Sequence, residues 1–354
     1  MRIKGPGHVV FAAGLAGLGI LSLCSGDFAF TWQPVPIWVP WREALAHVSG
    51  IFMLLCGIGM LIERAAAPCA LAMTAYLLSW VLLLQAPRVA AAPLNVGSWL
   101  GLAENLVLTC GACILFALLT NSHERAVRIA RFLFAMSCLE LGLSHFVFSQ
   151  ITAGMVPAWL PWRLGFAYFT GTCHFATGLA VLFAVVPRLA ATLEAIMIGS
   201  FVLLVHIPGA IAAPTSRLQW TMVCVAAAQA GAAGIVARSF HNAGAARTIR
   251  VYRNPDCDKC ARFAAVHRTL DWLNHVEIST APPSTGALRP GEVVVENLVN
   301  GRMLRGAAGI RLICRQIPLY APLRPLFAID AFRDYVDREV AGCDVNDNNN
   351  ACRV

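Results

Sequence analysis

The stretch PIWVPWR at residues 36–42 recurs as PAWLPWR at residues 157–163, which is a spacing of 121 residues. At the same spacing Pro87 matches Pro208 and Trp99 matches Trp220. Because one spacing holds without a gap over about 90 positions, the pattern indicates an internal duplication of a unit of roughly 120 residues.

The duplicated part of the chain has the composition of a membrane protein. The whole chain is 58% hydrophobic, yet residues 1–248 contain only 20 of its 46 charged side chains. These values exclude a disordered chain and an ordinary soluble enzyme. A membrane-spanning helix needs about 20 mostly apolar residues. About eight stretches meet this requirement, four in each copy: Val9–Cys24, Ala44–Ile62, Ala67–Ala86, Trp99–Leu119, Ala130–Phe148, Leu164–Val186, Leu189–Ile207 and Leu218–Ala237.

The distribution of positive charge predicts the orientation of these spans. With eight spans both termini lie on one side of the membrane, and each four-helix copy has the same orientation as the other. Ten Lys and Arg residues lie near span ends on the side of the termini, against four on the opposite side. Positive residues favour the cytoplasmic side, so both termini are predicted to be cytoplasmic. The net charge of +8 then reflects membrane orientation, and no nucleic-acid partner is expected.

Soft motifs of Pro, Trp and Gly in the second copy carry a family resemblance. They are Ser144-His145-Phe146, Val156–Pro161, Gly171, Gly178 and Pro208. On these residues the chain resembles the DoxX-like family of small four-helix bacterial membrane proteins, best over residues 131–237. The resemblance implies an α-helical bundle of two four-helix units, residues 1–120 and 121–238, in the inner membrane of a bacterium.

Ionisable residues inside predicted spans are candidates for a functional site, because burying them in a membrane is costly. His145, His206 and Glu104 fall near the outer ends of their spans, as does His47, and His174 lies deeper. The functional interpretation is a quinone site or a proton relay. The alternative is that interfacial histidines are bonded to the backbone or to lipid headgroups.

Two cysteines in the fourth predicted span raise a separate question. Cys110 and Cys113 are three residues apart, so they share one helix face. One hypothesis is a buried dithiol that relays electrons. The alternative is simple packing, because buried thiols are poorly reactive and cysteine behaves as a small apolar residue.

The last 106 residues have the composition of a soluble domain, with 26 charged side chains. A linker at residues 239–248 precedes it, and residues 342–354 form a polar tail that is predicted to be disordered. The order of predicted elements is that of a thioredoxin-like α/β domain over residues 249–341: a strand at 249–252, a CxxC motif, a helix at 261–274, strands at 276–278 and 293–295, a hairpin at Asn300-Gly301 and a helix at 307–316.

The CxxC motif, Cys257 to Cys260, has the position expected of a redox dithiol. Cys257 would begin a helix, where the positive end of the helix dipole favours a thiolate that attacks a disulfide. Lys259 would lower the pKa of this thiol further, and Cys260 would resolve the mixed disulfide. The alternative is half of a zinc site, for which Cys314, Cys343 and Cys352 are the available further ligands.

Several residues around this motif carry a second resemblance. They are Asp256-Cys257-x-x-Cys260 with Phe263, then Gly301, Arg305-Gly306 and Arg311-Leu312. On these residues the domain resembles the DCC family of thiol-disulfide oxidoreductase-like proteins, over residues 249–340. It departs from that family by having Arg253-Asn254-Pro255 in place of a short Asp-Gly-type turn.

These patterns favour a membrane-anchored thiol-disulfide oxidoreductase with its CxxC domain in the cytoplasm. Its partners would be the lipid bilayer and a thiol or disulfide substrate, either a protein or a small molecule. A quinone in the membrane is a candidate electron acceptor. The alternative is a non-enzymatic membrane scaffold, or a passage for small solutes, with a redox-sensing CxxC domain.

Overall fold

A computed structural model describes residues 4–121, 123–240, 247–271 and 273–341 of the chain. The chain divides into two compact units, Met1–His241 and Asn242–Val354. The predicted tail lies outside the described residues, as does most of the predicted linker.

The first unit is helical throughout its regular structure. Helices α3 and α9 each continue through a π-helical turn, Val81–Gln85 and Val202–His206, into the short helices α4 and α10. The helices are α1 (Pro6–Ser25), α2 (Arg42–Met60), α3 (Ala66–Trp80), α4 (Ala86–Ala91), α5 (Val96–Thr120), α6 (Glu124–Val147), α7 (Ser149–Met155), α8 (Arg163–Leu182), α9 (Pro187–Phe201), α10 (Ile207–Ala212) and α11 (Arg217–Ser239).

Six helices of the described residues are long and apolar enough to cross a membrane. They are α1, α2, α3 with α4, α5, α9 with α10, and α11; α6 and α7, bent by 90°, together make a possible seventh. The exposed surface of the unit carries many large apolar side chains, such as Leu55, Leu83 and Ile211, which suit a lipid bilayer. These long apolar helices are thus compatible with a multi-pass membrane protein, while the number of eight spans stays a prediction.

The helices form a closed ring in which each contacts its neighbours. The ring runs α1, α2, α3, α5, α6, α8, α9, α11 and back to α1, and α5 also contacts α11 across its middle. In both α5 and α11, 67% of the most apolar stretch is buried, against 44% in α1 and α2. These two helices therefore form the centre of the unit and a wall common to both halves of the ring.

The sequence repeat is also a repeat of local structure. Helices α2 and α8 begin at Arg42 and Arg163, the same position of the two copies, and each follows a tryptophan with a positive φ of 52°. The bounds of α3, its π-helical turn and α4 recur to the residue in α9, its π-helical turn and α10. Proline explains the turns, because Pro87 and Pro208 lack the N–H that would continue the regular helical ladder.

The repeated tryptophan motif ends in an arginine that binds the equivalent carbonyl oxygen in both copies. Arg163 donates from Nε to the Val156 carbonyl oxygen at 2.9 Å, and Arg42 donates from Nη2 to the Val35 carbonyl oxygen at 3.5 Å. Arg42 also pairs with Asp27, which accepts a 3.0 Å hydrogen bond from Arg217 of α11. The motif tryptophans, which are Trp38, Trp41, Trp159 and Trp162, are each more than two-thirds exposed. This exposure suits the headgroup level of a membrane.

The second unit is a small α/β domain. Its strands are β1 (Ile249–Tyr252), β2 (Val276–Ser279), β3 (Val294–Asn297) and β4 (Arg302–Arg305), in the order β2-β1-β3-β4. Strands β1 and β2 are parallel, whereas β3 is antiparallel to both β1 and β4. The remaining elements are α12 (Asp258–Leu270), α13 (Gly306–Gln316), a 3₁₀-helix (Pro318–Ala328) and α14 (Asp330–Val340).

Alternating strand residues and one face of α13 build the core of this domain. Ile249, Val251 and Val295 of the sheet pack with Ile313 and Ile317, all almost completely buried. The predicted hairpin at Asn300-Gly301 is present between β3 and β4, with Gly301 at a φ of 69°. Helix α12 begins earlier than predicted, directly after Cys257, because this cysteine itself caps the helix.

The crossing of α1 and α11 generates the first prediction. A methyl group on Gly231 would lie 2.6 Å from Cα of Phe11, an atom of the opposing backbone, whereas one on Gly199 would meet no heavy atom within 4 Å. We expect Gly231→Ala to destabilise the unit by about 1–3 kcal/mol. Gly199→Ala is the matched control in α9 and should be neutral or slightly stabilising. Thermal unfolding in detergent measures both, and equal melting temperatures for the two variants would contradict the packing.

Candidate functional site

Cys257 and Cys260 form a disulfide at the start of α12 in the second unit. Cys257 has an extended backbone and caps the helix, and its Sγ accepts a 3.1 Å hydrogen bond from the Cys260 backbone N–H. The exposed fraction is 9% for Cys257 and 3% for Cys260. The structure therefore places Cys257 at the helix N-terminus, where unpaired amides stabilise negative charge on sulfur.

Two loops hold this disulfide in place. Asn254 accepts from the Asp256 N–H at 2.8 Å, which shapes the turn before Cys257, and donates to the Leu288 carbonyl oxygen at 2.8 Å. The Gly291 N–H donates to Sγ of Cys260 at 3.3 Å, so the second loop touches the other sulfur.

An ion pair between a buried carboxylate and an exposed arginine anchors the second loop. Glu292, next to Gly291, pairs with Arg305 at the end of β4 with an N–O distance of 3.0 Å. Gly291 has a φ of 82°, which favours glycine, because a side chain would be strained there. Neither Gly291 nor Glu292 was predicted from the sequence. A Gly-Glu pair after a proline does not indicate by itself that the loop contacts a cysteine 31 residues earlier.

Lys259 lies between the cysteines, but its side chain turns to another partner. Its Nζ is 3.2 Å from Oε2 of Glu339 on α14, and both side chains are about half exposed. This carboxylate offsets the positive charge of Lys259, which the sequence predicted to stabilise the thiolate of Cys257. The helix N-terminus is thus the more direct source of thiolate stabilisation at Cys257.

The zinc alternative finds no further ligands in the described part of the chain. Within it, no group of three or more His, Cys, Asp or Glu side chains is arranged to hold a metal ion. Cys314 is a buried free thiol in α13, and Cys343 and Cys352 lie outside the described residues.

The second candidate site is a cavity of about 610 Å³ in the helical unit. It lies in the second half of the ring, with α5, α6, α8, α9 and α11 around it, and its walls are mainly apolar. Four residues that the sequence singled out as site candidates line this cavity: Glu104 from α5, His145 from α6, His174 from α8 and His206 from the end of a π-helical turn. His47 does not join them and is bonded to the Glu43 carbonyl oxygen on α2.

Two of these histidines are linked by ring contacts and by defined partners. The His145 and His174 rings meet edge to face with centroids 4.9 Å apart. Nδ1 of His145 is 2.9 Å from Thr170 Oγ1, and Nδ1 of His174 is 2.6 Å from Oε1 of Glu194. Glu194 of α9 is 1% exposed and His174 is 3% exposed, so this pair is buried.

The cavity also receives buried polar atoms. The side chains of Trp32 and Gln229 both interact with Glu104. His206 Nδ1 is buried and has no hydrogen-bond partner. An unpaired buried polar atom is costly, and a ligand that forms a hydrogen bond with it would offset that cost.

The first half of the ring, which the first copy of the repeat forms, has different side chains at the equivalent positions. Met53 and Met73 stand where the second half has His174 and Glu194, and both methionines are completely buried. Cys24 stands at the position of His145. Glu194 was not among the site residues predicted from the sequence. A comparison of the two copies could have singled it out, because an ionisable residue in one copy replaces a methionine in the other.

The cysteine pair of α5 is not joined. Cys110 is buried, Cys113 is half-buried, and both are free thiols. The electron-relay interpretation of this pair stays a hypothesis.

Comparison of the chain with protein-family models, with curated proteins and with solved structures finds no match.

The helix that carries the CxxC motif generates a pH prediction. His267 of α12 is packed against the rings of Phe263 and Tyr320, and burial lowers its pKa from the ordinary 6.5. The folded domain thus favours the neutral imidazole, so its stability is fully present above about pH 6.5 and falls as the pH drops from there towards the lowered pKa.

We expect the full-length protein in detergent to become more sensitive to proteolysis within residues 249–341 across this pH range. His267→Gln removes the titrating group and should flatten the dependence. An equally steep loss of resistance in the variant would contradict the assignment to His267.

Proposed function

We propose that the chain is a membrane-anchored thiol-disulfide oxidoreductase in which Cys257 and Cys260 are the reacting pair. The observation that carries the proposal is the position of Cys257: it caps α12, accepts the Cys260 N–H and is disulfide-bonded to Cys260. A thiolate at a helix N-terminus is stabilised by the amides and dipole of the helix, which is the condition for attack on a disulfide.

The chemistry of the pair is an exchange of disulfide bonds. In the reduced pair, the Cys257 thiolate attacks one sulfur of a substrate disulfide, forms a mixed disulfide and releases the other sulfur as a thiolate. Cys260 loses its proton and attacks Sγ of Cys257, which breaks the mixed disulfide and leaves the Cys257–Cys260 bond. Two electrons have then moved to the substrate, and the same steps in reverse oxidise a substrate dithiol.

The architecture of the second unit supports this function. The strand order β2-β1-β3-β4, with β1 parallel to β2 and the cysteines between β1 and α12, is compatible with a thioredoxin-like fold. Membership of the DCC family remains part of the proposal. Lys259 is included as a neighbour of the pair, although Glu339 competes for its charge.

The helical unit would supply the anchor and a membrane electron acceptor. As part of the proposal it comprises eight spans in two DoxX-like four-helix units, in a bacterial inner membrane with both termini cytoplasmic. A lipid-soluble quinone fits the cavity, because its walls are apolar and the unpaired Nδ1 of His206 can donate to a carbonyl oxygen. Together with Glu104, His145 and His174 these residues would hold the quinone, which when bound accepts two electrons and two protons.

Single cysteine variants test the exchange mechanism. Cys260→Ser should accumulate mixed disulfides on Cys257, because the resolving thiol is gone, whereas Cys257→Ser should trap few or none. Cys314→Ser is the matched control, since Cys314 is a buried free thiol of the same unit. Non-reducing gels and mass spectrometry of the trapped species give the measurement.

Other outcomes of this experiment would favour the competing interpretations. Equal trapping by both variants would contradict the assignment of Cys257 as the attacking thiolate and Cys260 as the resolving thiol. Stoichiometric zinc that is lost from both variants would support the metal site. A pair that changes redox state without transferring it to any substrate would support the redox-sensing scaffold.

The cytoplasmic assignment has its own test. After mild reduction, a membrane-impermeant maleimide should modify Cys257 in opened cells but not in intact cells, as read from the mass of the peptide that contains it. The expectation follows from the excess of positive residues on the side of the termini. Modification in intact cells would place the CxxC domain outside.

A further inference from the structure

The buried pair of His174 and Glu194 is a costly polar feature of the helical unit. The Nδ1–Oε1 distance is 2.6 Å, the side chains are 3% and 1% exposed, and Oε2 of Glu194 has no hydrogen-bond partner. Ionisable groups at membrane depth are expensive unless they are paired or serve a site. Only one of the two carboxylate oxygens is satisfied here by His174, so stability is a poor explanation for the pair.

The chain itself shows that the fold does not need this pair. At the equivalent positions of the other half, Met53 and Met73 are completely buried and pack in the main hydrophobic core. The helices that carry them, α2 and α3, have the same bounds as α8 and α9 within the repeat, except at the end of α2. An apolar solution is thus compatible with this helix geometry, and the polar pair occurs in the half that has the cavity.

The pair is oriented with respect to the cavity. His174 is a lining residue of the cavity and Glu194 is not. Since the carboxylate takes Nδ1, the opposite ring nitrogen, Nε2, is the one left for a cavity ligand. A carboxylate on one nitrogen of a histidine fixes the orientation of the ring and strengthens the partner interaction of the other nitrogen.

The neighbours of the pair are few and defined. Cys138 of α6 places its Sγ 3.9 Å from Glu194 Oε1, and the His145 ring lies against that of His174. Cys173, the residue before His174, interacts electrostatically with Glu194. From α11, the cavity receives the uncharged side chain of Gln229. None of these neighbours is an Arg or Lys, so His174 is the hydrogen-bond partner that Glu194 has among them.

We propose that His174, held by Glu194, is the polar anchor of the cavity: with a proton shared between Nδ1 and the Glu194 carboxyl group, Nε2 also keeps its hydrogen and donates it to a carbonyl oxygen of a lipid-soluble ligand. Glu194 acts as a positioning residue, because it contacts His174 and not the ligand. The inference rests on the proposed function in one respect, which is that the ligand is a quinone. It adds the atom that would bind the quinone and the residue that would orient it.

The repeat supplies the substitutions for the test. His174→Met and Glu194→Met introduce the residues that the chain already uses at the equivalent positions, so folding should be retained. Glu194→Gln removes the charge, but its amide N–H can donate to Nδ1, which leaves the hydrogen of the ring on Nε2. His47→Gln is the control, because His47 is a half-buried histidine of α2 outside the cavity.

The measurement is equilibrium binding of decylubiquinone to the full-length protein in detergent, together with the infrared carbonyl band of the bound quinone. We expect the wild type and His47→Gln to bind it with a carbonyl band shifted by the hydrogen bond. His174→Met and Glu194→Met should bind about tenfold or more weakly and lose the shift, since a hydrogen bond to a charged group is removed. Glu194→Gln should retain part of the shift.

Several results would overturn the inference. One is wild-type affinity with an unchanged carbonyl band in Glu194→Met or His174→Met, and another is an absence of quinone binding by the wild type. Melting temperatures show whether each variant is folded, and if a methionine variant does not fold, Glu194→Gln decides the matter through its carbonyl band. Trapping at Cys257 in the same preparations reports separately on the proposed exchange function, so failure of either can be told from failure of the other.

Discussion

The close approach of α11 to α1 and α5 is the contact on which the helical unit depends. Methyl groups on Gly14 or Gly111 would lie 2.6 Å from atoms of α11, at Ala228 and Ala232. Inside a bilayer the hydrophobic effect does not drive helices together, so close van der Waals packing between small residues has to do it. Because α5 and α11 bear Glu104 and Gln229, the same packing sets the separation of two polar walls of the cavity.

The two halves of the ring show how one backbone can serve two purposes. Their helix bounds recur, and Trp99 and Trp220 donate to equivalent carbonyl oxygens, of Pro93 and Pro214, at 2.8 and 2.9 Å. The side chains of the interior nevertheless differ: methionine fills the core at the positions where His174 and Glu194 form a pair. Backbone architecture in a duplicated membrane protein is thus kept by proline, glycine and tryptophan at fixed positions, while chemistry is introduced by changing a few inward side chains.

In the second unit, the environment of the dithiol comes from two distant parts of the chain. The turn at Asn254 and the cap at Cys257 are local, but Gly291 reaches Cys260 only because Glu292 is tied to Arg305. The low exposure of both sulfurs means that a substrate would approach a nearly closed surface. In this geometry the accessible member of the pair is Cys257, which is also the one that the helix terminus stabilises.

The sequence by itself determined the elements whose signals are local. Apolar length indicated most of the helices, the repeat indicated that their bounds recur, and a strand, a turn and a helix around Cys257 placed the thiol at a helix N-terminus. It also singled out Glu104, His145, His174 and His206, which the structure brings to one cavity, because ionisable residues in apolar stretches stand out.

Only the tertiary structure decided which of these residues meet. His174 pairs with Glu194, Lys259 pairs with Glu339, and Gly291 touches Cys260, across separations of 20, 80 and 31 residues. His47 was expected in the same layer as His145 but is half-buried on α2 and does not line the cavity. The physical reason is that periodicity specifies the face and depth of a residue along its own helix, whereas contacts between helices depend on how the glycine and alanine seams let those helices cross.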